Sequence, residues 1–146
     1  MLATLLIGAY VAEVFSAPPR LKAKAYFKPN TYYTDNPVPQ PWNVWLHFAS
    51  SSVDASQLDA SSILLEGLYH PISAPYDLPS KSGSWVVVPF DGYDVLAAAL
   101  AKIGHMTPGT NAWAFLGVTG TTKDGTPFDT GMSGVVTIFD PEVSPP

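Results

Sequence analysis

Ser50-Ser51-Ser52-Val53-Asp54-Ala55-Ser56-Gln57-Leu58-Asp59-Ala60-Ser61-Ser62-Ile63-Leu64-Leu65-Glu66-Gly67 carries two spaced Asp-Ala-Ser steps into a compact apolar run. Asp and Ser side chains hydrogen-bond backbone a few residues away, so the polar half reads as a corner between strands. Val53 and Leu58 are expected to plug that corner. Ile63 to Tyr69 reads as the strand that leaves it, with Ile63, Leu65 and Gly67 on one face and Leu64, Glu66 and Leu68 on the other. Glu66 is expected to face solvent. The strand that enters is Trp42 to Ala49, where Trp42, Val44, Leu46 and Phe48 alternate with Asn43, Trp45 and His47. Period-two alternation of that strength predicts a central strand.

Outward from this unit, Leu21 to Lys28 alternates Leu21, Ala23, Ala25 and Phe27 with Lys22, Lys24, Tyr26 and Lys28. The wet face and its lysines suit an exposed sheet edge, where charge discourages pairing with other chains. Pro29 to Pro41, with Tyr32-Tyr33 among its prolines, reads as a loop with extended pieces, and Pro71 to Gly83 as turns. Trp85-Val86-Val87-Val88 marks a buried strand over Ser84 to Phe90. Asp91 and Asp94 can cap a helix through Tyr93, Val95, Leu96, Leu100 and Ile103, which Gly104 ends. Thr110 to Thr121 alternates Ala112, Ala114, Leu116 and Val118 against Trp113, Phe115, Gly117 and Thr119. Asp124-Gly125 supplies a hairpin turn, and Phe128–Thr130 and Val135–Phe139 close the fold around a bend at Gly131 and Gly134. Roughly six to eight short strands with turn signals between them predict an all-β antiparallel sandwich with one short helix.

The 146 residues suit one domain with a real core. Seven basic and twelve acidic residues give a net charge of −5, without the footprint that nucleic acid or an anionic membrane surface requires. Charged residues are 13% of the chain, against about 25% in an average domain, which favours turns and short strands over salt-bridged helices. Absence of cysteine removes disulfides and thiolate metal sites. Leu2 to Ser16 has the length of a signal-peptide apolar region, interrupted by Glu13. Residues 1–20 are expected to be a signal, an anchor or a packing segment, residues 21–139 the β-sandwich, and residues 140–146 a Pro-rich tail. Export to the cell surface or beyond follows from the first of these readings.

Further residues carry a resemblance. They are Lys28-Pro29-Asn30, the aromatic strand Trp42–Phe48, Val53-Asp54, and Leu58-Asp59-Ala60-Ser61-Ser62-Ile63-Leu64-Leu65-Glu66-Gly67. After them come Val86-Val87-Val88-Pro89-Phe90-Asp91 with its helix, Val118-Thr119-Gly120-Thr121-Thr122-Lys123-Asp124-Gly125-Thr126-Pro127-Phe128, and a closing Gly134–Ile138 strand. In this order the chain resembles an immunoglobulin-like β-sandwich module of bacterial and archaeal secreted and cell-surface proteins, over roughly Leu21 to Phe139. The resemblance implies a non-catalytic spacer, adhesive unit or assembly domain, working with other protein subunits or cell-surface components and possessing no cofactor. Relatives often hold an acidic, glycine-rich run before the central strand; here that place reads Asp77-Leu78-Pro79-Ser80-Lys81-Ser82-Gly83, with a single acid.

Catalytic chemistry finds little to work with. The nucleophile-elbow pattern is absent, His47, His70 and His105 lack ligand spacing, and Glu66 has no partner carboxylate at a recognisable spacing. Aromatic residues offer more. Trp85 and Trp113 are expected to fill the core, whereas Tyr32, Tyr33, Trp45 and Tyr76 are candidates for ligand or partner contact. Two functions follow as expectations: an exported structural, adhesive or filament-forming subunit, or a carbohydrate-binding module that stacks sugars on exposed rings.

Overall fold

The computed structural model describes residues 20–50, 52–78 and 83–141. The signal, anchor or packing segment and most of the Pro-rich tail lie outside the described residues. The chain is mostly β: β1 (Leu21–Lys28), β2 (Thr31–Tyr33), β3 (Trp42–Phe48), a one-turn 3-10 helix (Ala55–Gln57), β4 (Leu58–Leu65), β5 (Tyr76–Asp77) and β6 (Ser84–Phe90). The single α-helix, α1 (Gly92–Ile103), precedes β7 (Asn111–Leu116), β8 (Val118–Thr122), β9 (Pro127–Asp129) and β10 (Gly134–Phe139). Among the described residues no helix is long and apolar enough to cross a membrane.

Seven strands form a curled sheet in the order β4-β8-β9-β1-β3-β6-β5, and three form a second in the order β2-β10-β7. The centre of the larger sheet follows from alternation: Trp42, Val44, Leu46 and Phe48 of β3 are buried and stand opposite Phe90, Val88, Val86 and Ser84 of β6. The sheets share one core. The Tyr32 and Trp42 rings lie 5.7 Å apart across it, Phe48 meets Phe128 edge-on at 5.4 Å, and the Phe27 ring occupies the space a Cβ on Gly134 would need.

The Ser50–Gly67 stretch is partly as expected. Asp54 and Gln57 form a reciprocal capping box on the 3-10 turn, and Val53 and Leu58 are buried. However, the strand starts at Leu58 and ends at Leu65, not Ile63 to Tyr69. Its pairing with β8 shifts between Asp59 and Leu64, so Asp59, Ser61 and Ser62 hold a bulge inside the strand. Ser62 Oγ donates to the Asp59 carbonyl (2.6 Å) and accepts the Thr121 N–H (2.8 Å), while the Asp59 carboxylate accepts from the Ser61 hydroxyl (2.6 Å). Glu66 then adopts a left-handed conformation, φ 52°, and turns the chain so that Tyr69 bridges back to Leu65.

The edge reading of the first strand fails at its start and not along the rest. β1 pairs with β3 along Ala23–Lys28 and with β9, in parallel, at Leu21–Lys22. Lys22 therefore faces solvent from inside the sheet, whereas Lys24 and Lys28 lie where β3 is the paired neighbour among the described residues. α1 matches its expected span: the Asp91 carboxylate accepts the Tyr93 N–H (2.8 Å), and Gly104 closes the other end at φ 78°. Gln40 fastens the Pro-rich loop to this end, accepting from Gly92 N–H (2.9 Å) and donating to Asp91 (3.0 Å).

Candidate functional site

Two outward faces concentrate the side chains that can meet a partner. On the smaller sheet Phe115 stands opposite Val135, Trp113 opposite Thr137, and Tyr33 opposite Phe139. The alternate residues Ala114, Leu116, Val136 and Ile138 fill the core, so parity sends the largest side chains of β7 outward. Trp113 is 60% exposed, and Phe115, Tyr33 and Val135 are exposed with it. The expectation that Trp113 fills the core is thus overturned: the inward space is taken by small and aliphatic neighbours of opposite parity. Tyr33 packs its ring 5.3 Å from Phe139.

On the larger sheet Tyr26, Trp45, Val87 and Tyr76 form one row across β1, β3, β6 and β5. Trp85 lies one pair further along, with its ring 5.5 Å from Tyr26, 6.2 Å from Trp45 and stacked on His47 at 4.4 Å. Trp85 is half-buried on this outer face, so it too is not an inter-sheet core residue. Lys28 Nζ sits 5.1 Å above the Trp45 ring. Beside the row, between β1 and the β9–β10 connection, runs an open groove of about 890 Å³ lined by Lys22, Lys24, Tyr26, His47, Asp129 and Ser133 among others.

The four candidate contact residues separate. Tyr32 is 6% exposed and donates its hydroxyl to the Asn36 carbonyl (2.9 Å), which makes it a core residue. Burial, with Tyr93 and Asp35 adding to it, holds its phenol above the ordinary range. Tyr33 belongs to the smaller sheet's face; Trp45 and Tyr76 belong to the larger one. Sequence reasoning passed over Tyr26, Phe115 and the lysines of β1 as contact residues. The signal was present, because alternation aligns Tyr26 with Lys22, Lys24 and Lys28, and Phe115 with Trp113.

The groups with acid–base chemistry are occupied structurally. Glu66 is not a solvent-facing strand residue: its Oε1 pairs with Lys102 Nζ (2.9 Å) and its Oε2 accepts the Gly117 N–H (2.9 Å), joining α1 to the β7–β8 junction. Hydrogen bonds from the Thr122 hydroxyl and from the Thr126 backbone and hydroxyl hold the Asp124 carboxyl below the usual range. Asp77 accepts the Ala55 N–H (2.8 Å). Among the described residues no three His, Asp or Glu side chains gather as a metal site would require. This arrangement offers surfaces for contact, one apolar and aromatic, the other aromatic and cationic. No family model, curated protein or solved structure matches the chain.

Proposed function

We propose that the chain is a non-enzymatic, immunoglobulin-like β-sandwich module that acts as a structural or adhesive subunit of an extracellular or cell-surface assembly. The exposed aromatic face of β7, β10 and β2 carries this reading. An aromatic side chain contributes about 150–250 Å² when wholly buried, and Trp113, Phe115 and Tyr33 are about half exposed, so with Val135 they offer on the order of 300 Å² of apolar surface. A patch that size on one sheet face is a mark of an interaction site. The simplest occupant is the same face of a second copy, because a self-complementary patch generates a two-fold pair.

Strand order supports the immunoglobulin-like part of the proposal. β1, β3 and β6 are neighbours in one sheet, and between β1 and β3 the chain crosses to the other, where β2 lies parallel to the last strand, β10. β4, β8 and β9 extend the larger sheet on the far side of β1, so the opposing layer is the three-stranded sheet β2-β10-β7. Replacing Trp113 and Phe115 together by serine tests the functional claim. Association of the full chain is expected to weaken by at least about tenfold, as for centrally placed aromatic contacts, with the thermal transition retained.

A second reading, a carbohydrate-binding module, draws support from the Tyr26–Trp45–Trp85–His47 cluster beside the open groove. Planar rings next to a shallow groove suit stacking on sugar faces.

A further inference from the structure

We infer that the outer face of β1 binds an acidic polysaccharide, a choice of ligand class that rests on the carbohydrate reading and sharpens it. Arg20, Lys22, Lys24 and Lys28 are four of the seven basic residues in a chain of net charge −5. Three of them, the lysines, project from the same face of one strand as Tyr26. Edge protection does not explain Lys22, which lies where β9 pairs with β1. Asp129 is the acid that lines the adjoining groove, and it is already engaged by Arg20 (3.8 Å) and by the Gly131 N–H. Lys22 and Lys24 therefore supply the uncompensated charge of the groove, Lys28 extends it along the same strand face, and a ligand of opposite sign complements it.

Spacing narrows the ligand. Successive outward side chains on a strand stand about 6.7 Å apart, and the line reads cation, cation, ring, cation from Lys22 to Lys28. Duplex nucleic acid presents one charge per about 1.7 Å of axis, a density that this sparse line cannot match and that a chain of net charge −5 repels at long range. A glycan with one carboxylate or sulfate per one or two sugars alternates charge with an apolar sugar face. Tyr26, 40% exposed and packed at a tilt against Trp85, supplies the stacking surface between Lys24 and Lys28. The hydroxyl of Ser133 and the imidazole of His47 line the same groove and provide further polar contacts.

The test is affinity electrophoresis and calorimetry of the full chain with polygalacturonate, hyaluronan, neutral xylan, amylose and a DNA duplex. Binding to an acidic glycan is expected, weakening about tenfold between 50 and 300 mM salt as screening and counterion release dictate. The triple variant Lys22→Gln/Lys24→Gln/Lys28→Gln is expected to lose at least about tenfold in affinity, and Lys24→Gln alone a few-fold, since each near-surface cation contributes modestly. Tyr26→Ser, which keeps every lysine, is expected to weaken acidic-glycan binding at both salt concentrations. Equal, salt-insensitive binding of xylan or amylose would overturn the acidic inference while leaving the carbohydrate reading standing. No binding to any glycan would overturn both. Preference for the DNA duplex, or acidic-glycan affinity unchanged in the lysine variants, would overturn the site.

Discussion

At the scale of single residues, two positions separate what the fold requires from what it tolerates. Ser84 stands opposite Phe48 on the inward side of β6, and its hydroxyl finds no hydrogen-bond partner among the described residues. A buried hydroxyl without a partner costs desolvation, so Ser84→Ala is expected to leave stability unchanged or raise it by up to about 1 kcal/mol in urea unfolding; a loss of that size would reveal a bond to the hydroxyl. Asp124 behaves oppositely. Its carboxyl is held low by Thr122 and Thr126, so its contribution is present above the unfolded-state value, about 3.9, and fades as pH falls through the lower folded-state value. The stability difference between the protein and Asp124→Asn is therefore expected to be constant from pH 7 to about pH 5 and to shrink below about pH 4. A difference that stays constant to acid would contradict the assignment.

At the scale of elements, α1 is tied to the sheets at both ends. Gln40 holds its first turn, and Lys102 near its last turn meets the half-buried Glu66. Glu66→Gln preserves an oxygen for the Gly117 N–H and loses the ion pair, an expected cost of about 0.5–1 kcal/mol. Glu66→Ala loses both and is expected to cost about 2 kcal/mol, read by chemical denaturation, with faster amide exchange in the last turn of α1. Equal costs would mean that the carboxamide cannot replace the carboxylate at the turn.

The main strands and this helix were legible in the sequence because one-sided burial imposes period two on Leu21–Lys28 and Trp42–Phe48, and because Asp91 and Gly104 bracket a helical run. Three features were hidden for physical reasons. Asp and Ser bond local backbone in the same way at a corner and in a bulge, so Asp59–Ser62 fitted both. Lysines on one face of β1 report that the face is wet but not which strands flank it. Residue size misled at Trp113 and Trp85, because whether a position points inward is decided by register, and Ala114, Leu116, Val86 and Val88 held the inward positions.

At the scale of the whole molecule, one core supports two outward faces of different chemistry. The smaller sheet presents uncharged rings around Trp113; the larger presents rings interleaved with lysine. Under the proposed function, such a division would let the chain meet a neighbour through one layer and an acidic polymer through the other. Because the apolar patch offers on the order of 300 Å² against the roughly 800 Å² per partner of a standard stable interface, association through it alone is expected to be weak and concentration-dependent. Sedimentation velocity of the full chain from low to high micromolar concentration, beside Trp113→Ser/Phe115→Ser, measures this directly. The account predicts a shift toward dimers or longer assemblies with concentration that the double variant lacks, while both melt as folded proteins. A wild-type chain that stays monomeric throughout, or a double variant that associates equally, would contradict it.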